Sequence, residues 1–106
     1  MIETYNVILQ DSLFNTIAEG KASLRHSYNS FLKNTIEIDA SVNNYSIKNP
    51  PLGIVDKYSD CPIKNKLVLN DISHLFIELF AKSKNIPVKQ AELLVSNILF
   101  DKKEII

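Results

Sequence analysis

Tyr5-Asn6-Val7-Ile8-Leu9-Gln10-Asp11-Ser12-Leu13-Phe14-Asn15-Thr16-Ile17-Ala18 is the stretch from which the architecture is read outward. Tyr5, Leu9, Leu13 and Ile17 recur at every fourth position, and Ile8, Phe14 and Ala18 widen the stripe. A broad apolar stripe at that spacing is the mark of an amphipathic helix, so it predicts a helix over 5–18. Gly20 follows where a left-handed C-terminal cap would sit, because glycine takes a positive φ without steric cost. Leu24, Tyr28, Phe31 and Leu32 resume helical spacing and predict a second helix ending near Asn34.

Beyond Asn34 the period changes to two. Ile36, Ile38, Ala40 and Val42 alternate with Glu37, Asp39 and Ser41, as in a half-buried strand. Asn43-Asn44 then supplies residues that tolerate the positive φ of a two-residue turn. Pairing Val42 with Tyr45 and Ala40 with Ile47 gathers the apolar residues of both strands on one face, which predicts a β-hairpin over about 36–48. Asn49-Pro50-Pro51-Leu52-Gly53 breaks regular structure, 54–64 reads as an irregular connection, and Leu67-Val68-Leu69 as a short strand. Asn70 or Asp71 can cap a helix over about 71–84 bearing Ile72, Leu75, Phe76, Leu79 and Phe80. Pro87 suits the first position of a last helix over about 87–102 with Ala91, Leu94, Val95, Ile98 and Leu99 on its apolar stripe. The expected fold is α+β in one domain, 1–106: two N-terminal helices, a central β-hairpin and a C-terminal αα-hairpin.

Composition narrows the function. The chain has 106 residues, 45% apolar and 23% charged, the balance of an ordinary globular protein. Its 12 basic and 12 acidic side chains cancel, which excludes the whole-molecule positive field of a polyanion-coating protein. Cys61 is the single cysteine, so no internal disulfide and no cysteine-based zinc site can form, and a reducing compartment, the cytoplasm, is expected. The N-terminus carries no secretory signal pattern and no window approaches 18 apolar residues, so no membrane association is expected.

Chemistry-bearing motifs are sparse. His26 and His74 have no carboxylate or cysteine at metal-ligand spacing. Asp60 beside Cys61 disfavours a reactive thiolate. Ser30-Phe31-Leu32-Lys33 matches the Ser-x-x-Lys string of penicillin-binding enzymes without the other strings of that group. Two glycines cannot form a phosphate-cradling loop. No catalytic residue, cofactor or metal is expected, and the chain reads as a non-enzyme.

Residues 80–95 carry a resemblance. Ala81 stands where two helices cross, Asn85 where a turn needs positive φ, and Ile86, Ala91 and Leu94 where a second helix packs; in this the segment resembles the helix-turn-helix of bacterial transcription regulators. The resemblance implies Lys89, Gln90, Glu92 and Ser96 on a DNA-facing helix, with Lys82 and Lys84 near phosphates. The same segment is similar to the helical hairpin of the histone-like HU and integration host factor family, which implies a dimer contact.

Two functional expectations follow. The first is a small binding protein acting by protein–protein contact, of the inhibitor, toxin-immunity or adaptor type, with Glu37, Asp39, Asp56 and Asp60 as a candidate acidic contact surface. The alternative is a DNA-binding regulator, working as a homodimer through residues 80–96.

Overall fold

Glu3, Tyr5, Val7 and Leu9 are buried, while Ile2, Thr4, Asn6, Ile8 and Gln10 between them are half-exposed. Strict alternation of this kind belongs to a strand with one covered face, and β1 runs Ile2–Gln10. A computed structural model describes residues 2–29, 33–48 and 68–105. After β1 come β2 (Thr16–Asn29), β3 (Lys33–Val42) and β4 (Tyr45–Lys48). A helix α1, described over 68–71, leads into α2 (Ser73–Lys84), α3 (Val88–Leu94) and a last strand, β5 (Asn97–Ile105). The five strands form one antiparallel sheet in the order β4-β3-β2-β1-β5, a meander closed by the C-terminal strand returning to β1.

The expected pair of N-terminal helices is therefore incorrect: residues 5–10 belong to β1, 16–18 and 24–29 to β2, and 33–34 to β3. The physical reason is that positions four apart share a face in a strand as well as in a helix. Gly20 lies within β2 rather than at a helix cap, and a Cβ there would collide with the Ser41 carbonyl oxygen. The last helix is also shorter than the expected 87–102. It stops at Leu94, and Asn97 onward pairs with β1, so long-range sheet pairing overrides a helical stripe. Val68 and Leu69 belong to a helix, not a strand. The hairpin at Asn43-Asn44 pairs Val42 with Tyr45 and Ala40 with Ile47, the register deduced above. The fold is an α+β arrangement in which β1 to β4 precede the helices and β5 follows them, and among the described residues no helix is long and apolar enough to cross a membrane.

One face of the sheet carries the core. Tyr5, Ala22, Ala40 and Ile47 stand in register across four strands, as do Val7, Gly20 and Val42 across three. The small residues in these rows leave volume for the large side chains of α2, where Leu75, Phe76, Leu79 and Phe80 are buried in the same cluster. Phe76 meets Phe100 of β5 edge to face, with centroids 5.6 Å apart. Helix α2 packs on β3 and β4, and α3 packs on α2.

Register also fixes which turns are neighbours. Gln10 is opposite both Thr16 and Asn97, and Val7 is opposite Gly20, which is opposite Val42. The β1–β2 turn, the Asn43-Asn44 turn and the α3–β5 junction consequently share one end of the sheet. Asn29 and Lys33, where β2 meets β3, mark the opposite end.

Candidate functional site

The β1–β2 turn is built around Asp11. Its Oδ1 accepts the backbone N–H groups of Leu13 and Asn15, both at 2.9 Å, and its Oδ2 accepts the Asn15 side-chain amide at 3.3 Å. Main-chain bonds from Asp11 to the Asn15 carbonyl (3.0 Å) and from Phe14 to the Asp11 carbonyl (3.1 Å) close the loop. The Asn15 N–H foremost, with the Leu13 N–H and Asn15 amide, holds the Asp11 carboxyl below its usual range. Within this frame Phe14 has φ 63°, and Leu13 and Phe14 are 77% and 72% exposed.

Helix α2 ends beside the β3–β4 turn. The Ile86 and Asn85 N–H groups reach the carbonyls of Ala81 and Lys82, and Asn85 takes φ 55°, the left-handed closure that asparagine tolerates. Ser83 Oγ donates to the Phe80 carbonyl at 2.8 Å and accepts the Asn43 side-chain amide at 3.1 Å, tying α2 to the β3–β4 turn. Two turns of α3 follow, and the Ser96 N–H donates to the Gln10 carbonyl at 2.8 Å, which brings the end of α3 to the base of the Leu13-Phe14 turn.

The large apolar side chains exposed among the described residues are Leu13, Phe14, Tyr45, Val88, Leu93, Leu94 and Leu99. Leu13, Phe14, Tyr45, Val88, Leu93 and Leu94 belong to this end, whereas Leu99 lies on the face of the sheet away from the core. Leu13 and Phe14 crown the first turn, Tyr45 follows the second, Val88, Leu93 and Leu94 lie on α3, and Leu99 is two residues past the junction, opposite Ile8. Leu93 is 84% exposed. Concentrated apolar exposure of this kind marks interaction surfaces in soluble proteins.

Two other features are polar. On the covered face, the fully buried Glu3 accepts the Tyr5 hydroxyl at 3.0 Å and pairs with Lys102 at 3.3 Å, joining β1 to β5. Burial first, and Glu3 second, push the Tyr5 hydroxyl far above the ordinary tyrosine range. The opposite face holds an open concavity of about 640 Å³ whose lining includes Asn6, Glu19, Lys21, Ser41 and Lys103, a mixture of both charges. No group of three His, Cys, Asp or Glu side chains that could hold a metal occurs among the described residues.

Of the residues singled out from the sequence, Lys82, Lys84, Lys89, Gln90, Glu92 and Ser96 are all exposed and gathered on α2, α3 and the junction after it. The acidic set is not assembled in the same way. Glu37 is exposed on β3 and lies 3.7 Å from Arg25, Asp39 is half-buried two residues on, and Asp56 and Asp60 lie outside the described residues. Leu13 and Phe14 fall on the helical stripe expected from the sequence, yet Asp11 and Asn15, both turn formers, bracket them. Comparison with known proteins finds no matching family model, no matching curated protein and no matching solved structure.

Proposed function

We propose that this chain is a small non-enzymatic binding protein, of the inhibitor, immunity or adaptor type, which acts in the cytoplasm by docking the end that carries Leu13, Phe14, Leu93 and Leu94 onto another protein. The observation that carries this reading is Phe14. A bulky residue in the left-handed region costs about 1–2 kcal/mol, and leaving its ring in water forgoes the roughly 1.5–3 kcal/mol that burial would contribute. Phe14 bears both penalties, at φ 63° and 72% exposure. A partner that covers the ring recovers the second penalty and uses the fixed direction that the first one imposes.

A second reading, DNA contact through the segment that resembles a helix-turn-helix, is favoured by the exposure of Lys82, Lys84, Lys89, Gln90, Glu92 and Ser96 around the left-handed Asn85. It ranks below the first because exposed Leu93 and Leu94 share the short α3 with those residues. Phosphates and base edges would leave such side chains without apolar cover.

Affinity capture from a lysate of the native host, with and without nuclease and at low and high salt, separates the readings. The protein-contact reading expects one stoichiometric protein that survives nuclease and is lost with Phe14→Asn or Leu93→Ser. Recovery of DNA that disappears at high salt and with Lys89→Ala would replace it with the second reading.

A further inference from the structure

The two edges of the sheet are protected unequally. An edge strand leaves a row of unpaired N–H and C=O groups, which folded proteins blunt by shortness, charge, inward-pointing lysines or bulges. At one edge, β4 is four residues long and α2 packs on it. At the other, β5 runs for nine residues and is the last strand among the described residues. Its second half is protected: the register slips between Thr4 and Tyr5, Lys102 turns inward to Glu3, and Asp101, Lys103 and Glu104 carry charge. Its first half, Asn97-Ile98-Leu99-Phe100, has no charge, no proline and no slip in register. Both faces of that half are also short of cover. Leu99 stands opposite Ile8 on the face away from the core and is 47% exposed. Ile98 and Phe100 are half-buried, and with Ser73 and Ile77 of α2 they help line a groove of about 300 Å³.

What fits an unpaired backbone edge is another extended strand, and β5 itself supplies one. Two copies related by a two-fold axis perpendicular to the sheet pair these edges antiparallel. Facing residues must share a face, so the residue on the axis faces its own twin. With Leu99 on the axis, Ile98 faces Phe100 of the second copy and Asn97 faces Asp101; apolar meets apolar, and no like charges meet. One residue later, Leu99 would face Asp101 and Ile98 would face Lys102. One residue earlier, Phe100 and Asp101 would face Ser96 and Val95, which precede the strand. The chain's basic and acidic side chains are equal in number, so no net charge drives two copies apart. We propose that two copies of this chain pair edge to edge through residues 97–101 of β5, centred on Leu99, into one continuous sheet. The strip is small beside the roughly 20–30 residues a side of a stable interface, so the association depends on concentration. It is independent of the Leu13-Phe14 end, and either contact can hold without the other.

The test uses the purified full chain. In sedimentation equilibrium from about 10 μM to about 1 mM, the average mass should rise from one copy towards two. Leu99→Lys sets two cations face to face and should weaken the association about tenfold or more. Asn97→Asp, now opposite Asp101 of the second copy, should weaken it about threefold, and Asn97→Lys should strengthen it about threefold. Thermal melts check that each variant is folded. Cysteine trapping in a Cys61→Ser background then reads the register. Residues directly opposite each other lie within disulfide reach, so Leu99→Cys should oxidise to a covalent dimer. Asn97→Cys and Asp101→Cys should cross-link when mixed and neither with itself. A mass of one copy at every concentration overturns the proposal, and so does a dimer that Leu99→Lys leaves unchanged. Trapping at Lys103→Cys as readily as at Leu99→Cys would overturn the register and with it the assignment to this edge.

Discussion

At Asn43 and at Phe14 the backbone makes the same excursion, to φ 54° and 63°, for opposite local reasons. Asn43 is a residue suited to that conformation, its N–H reaches the Glu19 carbonyl at 3.1 Å, and its side chain grips Ser83 of α2. Asn85 closes α2 in the same manner. At these positions residue type, conformation and internal contacts agree, as expected of sites that specify a fold. At Phe14 they disagree. The Asp11 frame around it is fully bonded, yet the residue within that frame is a poor choice for its conformation and is exposed. Sites where local consistency breaks without an internal gain are where function is to be sought.

The comparison can be broken in several places. The largest effect is expected beneath the Asn43 turn, where Gly20→Ala drives a methyl group against the Ser41 backbone oxygen. A loss of about 3 kcal/mol in urea-unfolding stability is expected, at the upper end of overpacking costs because backbone cannot step aside as a side chain would. Asn85→Val puts a β-branched residue in the left-handed closure of α2 and should cost about 1–2 kcal/mol by the same measurement. Asn43→Ala removes both the conformational fit and the Ser83 bond, for a loss of about 1 kcal/mol. Smaller and purely local is the acid response of the first turn. The Asp11 carboxyl titrates below its usual value of 3.8, so its contribution is complete above that pH and disappears as pH falls through the depressed value. Amide exchange at Leu13 and Asn15 should accelerate in that window while amides of β1 and β2 stay protected. Uniform acceleration through the sheet would show that the turn and the core are one unit.

The two turns also differed in how readily the sequence disclosed them. Around Asn43 strict alternation on both sides and an Asn-Asn pair specify hairpin and register together. The face of α2 was equally plain, since the residues expected in the core, Ile72 through Phe80, are buried at helical spacing. At the N-terminus Tyr5, Leu9, Leu13 and Ile17 recur at a spacing of four, which satisfies both periods. Glu3 and Val7 distinguish them, because they share the face of Tyr5 and Leu9 only in a strand. Strand β5 was hidden by Asp101-Lys102-Lys103-Glu104, which reads as solvated until Lys102 is seen against Glu3 from the far end of the chain. The candidate surface was half legible for the same reason. Its lysines were marked by the helix-turn-helix resemblance, whereas Leu13 and Phe14 vanished into a helical stripe that the chain does not form.

The most direct single measurement is the urea-unfolding stability of Phe14→Gly against the wild-type chain. Glycine relieves about 1–2 kcal/mol of left-handed strain and loses about 0.5–1 kcal/mol through its freer unfolded state. With the ring held for a partner and not for the fold, the substitution should raise stability by about 0.5–1 kcal/mol. A clear loss of stability would show that Phe14 works inside the molecule, and would contradict the assignment of this end as a contact surface.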